Sequence, residues 1–164
     1  MAYLPTGCVI RPAKPEDVSD IFDLIQELAH FEKLEDSVTG SPAQLAEHLF
    51  GKPTYAEALV ASVEADIVGF ALFFTNYSTF LTQPGLYLED LFVRSAYRRQ
   101  GIGTALLQNV AKIAVERHCG RMEWSVLDWN AGAIATYETL GATVLPDWRI
   151  CRVTGDNLKA LAHR

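Results

Sequence analysis

Residues 86–120 constrain the fold most, because they change from a strand pattern to a helix pattern across one short glycine-bearing loop. The segment "LYLEDLFV" has the composition of a β-strand, and "RSAYRRQGIG" follows it with consecutive arginines and with Gly101 and Gly103. Apolar residues then recur at helical spacing, at Ile102, Leu106, Val110, Ile113 and Ala114. A strand that leads directly into a helix predicts a layered α/β fold.

The rest of the chain alternates in the same way. "VIRPA" is typical of a short strand, and "KPEDVSDIFDLIQELAHFEKL" predicts a helix with Pro15 in its first turn. "SPAQLAEHLFG" predicts a second helix capped by Ser41, and "AEALVASVEADIVGFALFF" predicts a hairpin that turns near Ala65 and Asp66. Further on, "RMEWSVLD" and "WRICRV" are expected to be strands, and "NAGAIATYETLG" a helix. These elements predict one α/β domain over residues 1–164 with a mixed sheet.

Composition excludes several classes of function. The 164 residues, 49% hydrophobic and 21% charged, suffice for one domain with a hydrophobic core. A formal net charge of −6 argues against non-specific binding to nucleic acid or to an anionic membrane. No apolar run reaches the roughly 18 residues of a membrane span, and we expect no secretory signal. Three widely spaced cysteines favour reduced thiols in the cytoplasm, and the four histidines lack a metal-binding spacing, so we expect no metal.

The glycine loop has the character of an anion site. It lacks the lysine of a Walker A loop after Gly103, and Leu106 stands where the third glycine of a dinucleotide-binding fingerprint would be. What remains is Arg98-x-x-Gly101-x-Gly103 between a strand and a helix. Backbone N–H groups at a helix N-terminus suit a pyrophosphate, whereas an ordinary glycine turn with solvated arginines fits the spacing equally well.

The flanking motifs extend the pattern over nearly the whole chain. "LYLEDLFV…YRRQGIG", "FEKLED" and "VLDWNAGAIATYETLGA" together resemble the GCN5-related N-acetyltransferases, and in particular the diamine and thialysine acetyltransferase branch. The resemblance implies a mixed, mostly antiparallel central sheet flanked by helices. It also implies acetyl-CoA as co-substrate, a small amine as acceptor and a homodimer.

The resemblance assigns two residues to catalysis. Glu89 falls at the position of the family's base, and Tyr137 at that of the acid which protonates the coenzyme A thiolate. An alkylamine has a pKa of about 10.4 and arrives protonated, so an acceptor for that proton is needed, directly or through water. The non-catalytic alternatives are that Glu89 is a strand carboxylate facing solvent and that Tyr137 is an aromatic residue of the core.

By the same resemblance, three strand residues pair with the pantetheine arm, the glycine loop holds the pyrophosphate, and the start of the late helix faces the cofactor. These cofactor residues are Leu91, Phe92, Val93, Arg99, Gln100, Gly101, Ile102, Gly103, Thr104, Asn130, Ala131, Gly132 and Ala133. Asn130 is also a good helix N-cap. Arg98 is either structural or a phosphate ligand, and the sequence does not separate the two.

Substrate contacts are expected from an acidic and aromatic set, because carboxylates and ring faces suit an ammonium group. The resemblance places Phe31, Glu32, Glu89, Asp90, Glu123, Trp124 and Ser125 there. Polyamine enzymes of this branch carry an acidic residue and a tryptophan in the loop before the "YLED" strand, where this chain has Ser78 and Phe80. A lysine-like amino acid or a short diamine is therefore expected ahead of spermidine or spermine. The alternatives are a peptide N-acetyltransferase and a module that binds coenzyme A without catalysis.

Overall fold

The computed structural model describes residues 4–163 and divides the chain into two compact units that meet at Ser125 and Val126. The first unit holds a sheet of five strands. These strands are β1 (Cys8–Pro12), β2 (Glu57–Val63), β3 (Asp66–Ser78), β4 (Gln83–Val93) and β5 (Arg121–Trp124). They lie in chain order, antiparallel throughout except for the parallel pair β4–β5. The predicted α/β fold with a mixed, mostly antiparallel sheet is confirmed.

Three helices of the first unit pack on this sheet: α1 (Val18–Glu32), α2 (Pro42–Phe50) and α3 (Ile102–Glu116). α1 and α2 share one core with the strands, in which Phe70 and Leu72 of β3 are buried. Alternate residues of a strand point to opposite faces, so Ala71 and Phe73 point away from α1, and they are buried too. α3 also contacts β3 and β4, which places it on that second face.

Local signals explain where the elements begin and end. Ser41 accepts a hydrogen bond from the Gln44 amide at the start of α2, as its cap position predicted. The hairpin between β2 and β3 turns at Glu64 and Ala65, both with positive φ, close to the predicted site. α1 ends at Lys33, which adopts the left-handed conformation with φ of 59°.

The second unit holds two short helices, α4 (Ala131–Thr139) and α5 (Gly155–Ala162). α4 is the predicted late helix, whereas α5 was not predicted. The prediction of a strand in "WRICRV", residues 148–153, is wrong for the described chain, and the strand predicted in "RMEWSVLD" pairs only over its first four residues. A strand exists only with a hydrogen-bonded neighbour, and none of the five strands pairs with residues 148–153. Among residues 4–163, no helix is both long and apolar enough to cross a membrane.

Candidate active site

A β-bulge shapes the middle of β4. Phe73 of β3 lies opposite Leu88 and Leu72 lies opposite Asp90, so Glu89 is an extra residue without a partner on β3. A bulge of this kind breaks the alternation of side chains and bends the strand. Leu88 therefore packs on the α3 face with Phe73, whereas Asp90 lies on the α1 face. Adjacent strand residues point to opposite faces in any case, but the sequence does not show the bulge at Glu89.

The bulge brings Asp90 into an acidic environment at the C-terminal end of α1. Burial, with smaller contributions from the charges of Glu89 and Glu32, raises the pKa of Asp90 to about 6. Burial also raises the pKa of Glu32. Among residues 4–163, the carboxylate of Asp90 has no hydrogen bond and no ion pair to offset its burial. Three predicted substrate residues are thus close enough to influence one another, with no cation among them. We call Glu32, Glu89 and Asp90 the acidic cluster.

The edge of β4 is open beyond the bulge. β5 pairs with β4 only from Gly85 to Leu88, so residues 89–93 have a strand neighbour on the β3 side alone within the described chain. An unpaired strand edge presents backbone donors and acceptors to an extended ligand. Leu91, Phe92 and Val93, predicted to pair with the pantetheine arm, all lie on this edge.

The glycine loop after β4 has the geometry of an anion site. Arg99 and Gly101 adopt positive φ values of 59° and 80°, and Gly101 caps α3, whose first turn carries no acidic residue. A Cβ on Gly103 would meet nothing closer than Val93 Cγ2 at 3.8 Å, so packing does not require a glycine there. The missing side chain leaves backbone N–H groups accessible at the positive end of the helix dipole. The predicted residues Arg99 to Thr104 fit a pyrophosphate.

Arg98 has a different environment from its neighbours in the loop. Its Nε donates to the carbonyl oxygen of Val93 at 2.8 Å. Its guanidinium lies 4.5 Å from the ring centroid of Phe31 and 5.0 Å from that of Phe92. These contacts favour the structural reading of Arg98, which the sequence left open.

β5 carries two of the predicted substrate residues, Glu123 and Trp124. The Glu123 carboxylate accepts from Asn76 Nδ2 at 3.1 Å and pairs with Arg121 Nε at 2.9 Å, so its charge is already compensated. Trp124 follows Glu123 and pairs with Leu88, so its side chain points to the α3 face, away from Glu123.

Tyr87, which the sequence did not single out, shares the face of Glu123 and contacts a predicted substrate residue, Ser125. Its hydroxyl is hydrogen-bonded to that of Ser125 at 2.8 Å, and its ring lies 5.3 Å from that of Phe74.

The second unit carries the remaining predicted residues. Asn130 caps α4, since its Oδ1 accepts from the Ala133 amide at 3.3 Å, and Ala131 and Gly132 form the first turn. Tyr137 lies in the last turn of the same helix. Burial raises the pKa of its phenol, which therefore stays protonated at neutral pH.

Comparison with known proteins identifies the family. A sequence model of the acetyltransferase (GNAT) family matches residues 20–142. L-ornithine N5-acetyltransferase NATA1 of Arabidopsis thaliana is 36% identical over 93% of this chain and 86% of that protein. Thialysine N-epsilon-acetyltransferase of Mus musculus is 38% identical over 94% of this chain and 97% of that protein.

A solved structure shows the same fold. An integron cassette protein from the mobile metagenome of V. cholerae superimposes with a TM-score of 0.80 at 25% identity, covering 98% of this chain and all of that one. The family model covers most of the chain and the curated relatives match it over nearly its whole length, so the chain belongs to the acetyltransferase (GNAT) family.

Proposed function

We propose that this acetyltransferase moves the acetyl group of acetyl-CoA to a primary amine of a small cationic substrate. The acidic cluster carries the proposal, because it concentrates carboxylates beside the open edge of β4 and leaves Asp90 without a cation. An ammonium group would supply the missing positive charge. The matched relatives are named for ornithine and thialysine, each of which bears an amine on a short chain.

Acetyl-CoA supplies the acetyl thioester in this proposal. The N–H groups from Arg99 to Thr104 would hold its pyrophosphate, and the edge formed by Leu91, Phe92 and Val93 would pair with its pantetheine arm. The start of α4, residues 130–133, is assigned to the cofactor by resemblance. The Val93 carbonyl already accepts a hydrogen bond from Arg98, so it is not one of the groups that would pair with the arm.

Amide formation requires proton transfers at the attacking nitrogen and at the leaving sulfur. The ammonium must lose a proton before its nitrogen attacks the thioester carbonyl, and Glu89 is proposed as the acceptor, directly or through water. The leaving thiolate must gain a proton, and Tyr137 is proposed as its donor. A phenol whose pKa is raised by burial remains protonated at neutral pH, as a donor must. Attack by the neutral amine leaves a second surplus proton on nitrogen, and that proton passes to water. Collapse of the tetrahedral intermediate and protonation of sulfur then give an N-acetyl amine and free coenzyme A, and Glu89 and Tyr137 exchange protons with solvent to return to their starting states.

The substrate is proposed to carry one reacting amine on a short chain. Glu123 is paired with Arg121 and hydrogen-bonded to Asn76, so less of its charge is left for a second ammonium. Ser78 is buried, and its hydroxyl accepts from the Leu81 amide at 3.3 Å. A long polyamine needs a partner for each ammonium, so a lysine-like amino acid or a short diamine fits better. Phe31 and Ser125 complete the proposed substrate set, and Trp124 belongs to it by resemblance alone.

The extent of the catalytic domain is also a proposal. The family match over residues 20–142 includes all of α4 and most of the first unit, which supports one acetyltransferase domain over residues 1–164. A homodimer and a cytoplasmic location stay predictions.

A thiol-release assay with acetyl-CoA tests the proposal. The panel comprises thialysine, ornithine, lysine, putrescine, spermidine and a peptide with a free N-terminus. We expect turnover of the short amines with the highest kcat/KM for an amino acid, and slow turnover of spermidine. Turnover of the peptide alone would identify a peptide N-acetyltransferase. Tight binding of acetyl-CoA with no turnover of any acceptor would indicate a binding module.

A further inference from the structure

Two arginines in the segment between β4 and α3 hold the C-terminal half of α1. Arg94 pairs through Nε with Glu27 Oε1 at 2.9 Å and donates from Nη1 to the Ile67 carbonyl at 3.0 Å. Arg98 lies against Phe31, one helical turn after Glu27. Residues four apart in a helix share one face, so both arginines contact the same side of α1.

The contacts of Arg98 fix its guanidinium in place. The cation lies near two aromatic rings, Phe31 on α1 and Phe92 on β4, and Nε is used by the Val93 carbonyl. A guanidinium near two ring faces is attracted by both, and a flat cation can hold the two elements at a set spacing. Phe31 is 38% exposed, so apolar packing holds it only in part.

Phe31 directly precedes Glu32, whose charge acts on Asp90. A change in the position of Phe31 therefore changes the position of Glu32 relative to β4. Arg98 directly precedes the proposed pyrophosphate loop. Through its contact with Phe31, the residue before Glu32, it connects that loop to the acidic cluster.

We propose that Arg98 is a positioning residue of the amine site, which holds Phe31 against Phe92 and thereby sets Glu32 beside Asp90. The inference rests on the proposed function for its meaning in catalysis, but the contact itself is independent of activity. Arg98 then acts on amine binding rather than as a ligand of the cofactor phosphates.

The test compares Arg98→Met, Arg98→Lys and Phe31→Leu with the matched control Arg94→Met. Arg94 also anchors α1, but it does so through Glu27, one turn before Phe31. Arg98→Met should raise the KM of the best short amine about three- to tenfold, as expected for lost cation–π contacts, with the Kd of acetyl-CoA within about twofold. Arg98→Lys should restore part of the loss, because it keeps a cation but not the planar fork. Arg94→Met should leave the amine KM within about twofold.

The double variant Arg98→Met/Phe31→Leu provides a further criterion. If Arg98 acts through Phe31, the double variant should have nearly the same amine KM as the worse single variant. If the double variant instead shows the product of the two single effects on the amine KM, the proposal is wrong. A large rise in the Kd of acetyl-CoA for Arg98→Met, with the amine KM unchanged, would overturn it in favour of a phosphate ligand.

Hydrogen exchange separates this proposal from the proposed function. The amides of Lys33 and Leu34 donate to the carbonyls of His30 and Ala29 at the end of α1. In Arg98→Met these two amides should exchange faster than in Arg94→Met, whether or not any amine is acetylated. Unchanged exchange would refute the positioning role. Faster exchange in an enzyme that turns over no amine would refute the function alone.

Discussion

Two aspartates near opposite ends of α1, the buried Asp17 and the partly buried Asp90, have opposite electrostatic environments. Asp17, before the first turn, receives Arg11 Nη1 at 2.6 Å, Arg11 Nη2 at 2.9 Å and the Lys14 amide at 2.7 Å. The hydrogen bonds from Arg11 are the main reason that its pKa is lowered. Asp90, near the last turn, is surrounded by Glu89 and Glu32, and burial raises its pKa to about 6.

These shifts have opposite consequences for stability. Asp17 stabilises the fold at pH values above its unfolded pKa, and that contribution is lost as the pH falls through its depressed folded pKa. Asp90 binds its proton more tightly in the folded chain, so ionising it between pH 3.8 and about 6 lowers the free energy of unfolding. A carboxylate that costs stability at neutral pH indicates a functional role, whereas a fully paired one indicates a structural role.

Asp90→Asn gives the largest expected effect. It removes the main buried partner for an ammonium, so kcat/KM for the best amine should fall roughly 100- to 1,000-fold. The same change should raise the free energy of unfolding at pH 7 by about 1–3 kcal/mol, because it removes an uncompensated buried charge. Steady-state kinetics and urea unfolding measure the two effects. Full activity of Asp90→Asn, or a lower free energy of unfolding, would contradict the view that Asp90 is functional and Asp17 structural.

Asp17→Asn is the counterpart at the other end of α1. It leaves the Arg11 guanidinium without its bidentate acceptor in a partly buried site, so the free energy of unfolding should fall by about 2–3 kcal/mol. The activity per folded molecule should not change. Glu16→Gln is the matched control, because that exposed carboxylate lies 3.9 Å from Lys14 and should contribute less than about 0.5 kcal/mol. Equal losses in both variants would mean that the Arg11 pair does not stabilise the fold.

The pH dependence of kcat/KM should report the ionisation of Asp90. Its carboxylate is available to an ammonium only above its raised pKa, so activity should rise with pH around pH 6. In Glu89→Gln, the residual activity should show this rise at lower pH, because a like charge that raises the pKa of Asp90 is gone. Glu32→Gln should move the rise in the same direction by less, since Glu32 is the smaller contributor. An unmoved profile in both variants would assign the rise to another group.

Lys33→Gly gives the smallest expected effect. Lys33 ends α1 with φ of 59°, a conformation that costs less for glycine than for a residue with a Cβ. The free energy of unfolding should rise by about 0.5–1 kcal/mol. Lys33→Ala separates conformation from charge, because it removes the ammonium next to Glu32 but keeps the Cβ. Equal stability of the two variants would show that the charge, and not the backbone, decides the outcome.

Much of the fold was predictable because its signals are local. Ser41 predicted the start of α2, and the strand-to-helix change after "LYLEDLFV" predicted the order β4–loop–α3. The strand predicted at residues 148–153 failed for the complementary reason. Its residues have strand propensity, but a strand depends on a neighbour whose position the local sequence does not encode. The candidate site followed from motif resemblance, and its residue roles stay predictions.

The sequence by itself determined most of the elements, the family and the residues to test, because each depends on residue type and spacing along the chain. Only the tertiary structure decided which charges meet. It set Arg11 against Asp17, compensated Glu123 with Arg121 and Asn76, and stacked Arg98 on Phe31. It also turned Asp90 through the bulge toward Glu32. A carboxylate's pKa depends on its burial and on neighbours distant in sequence, so two aspartates in one chain acquired opposite properties.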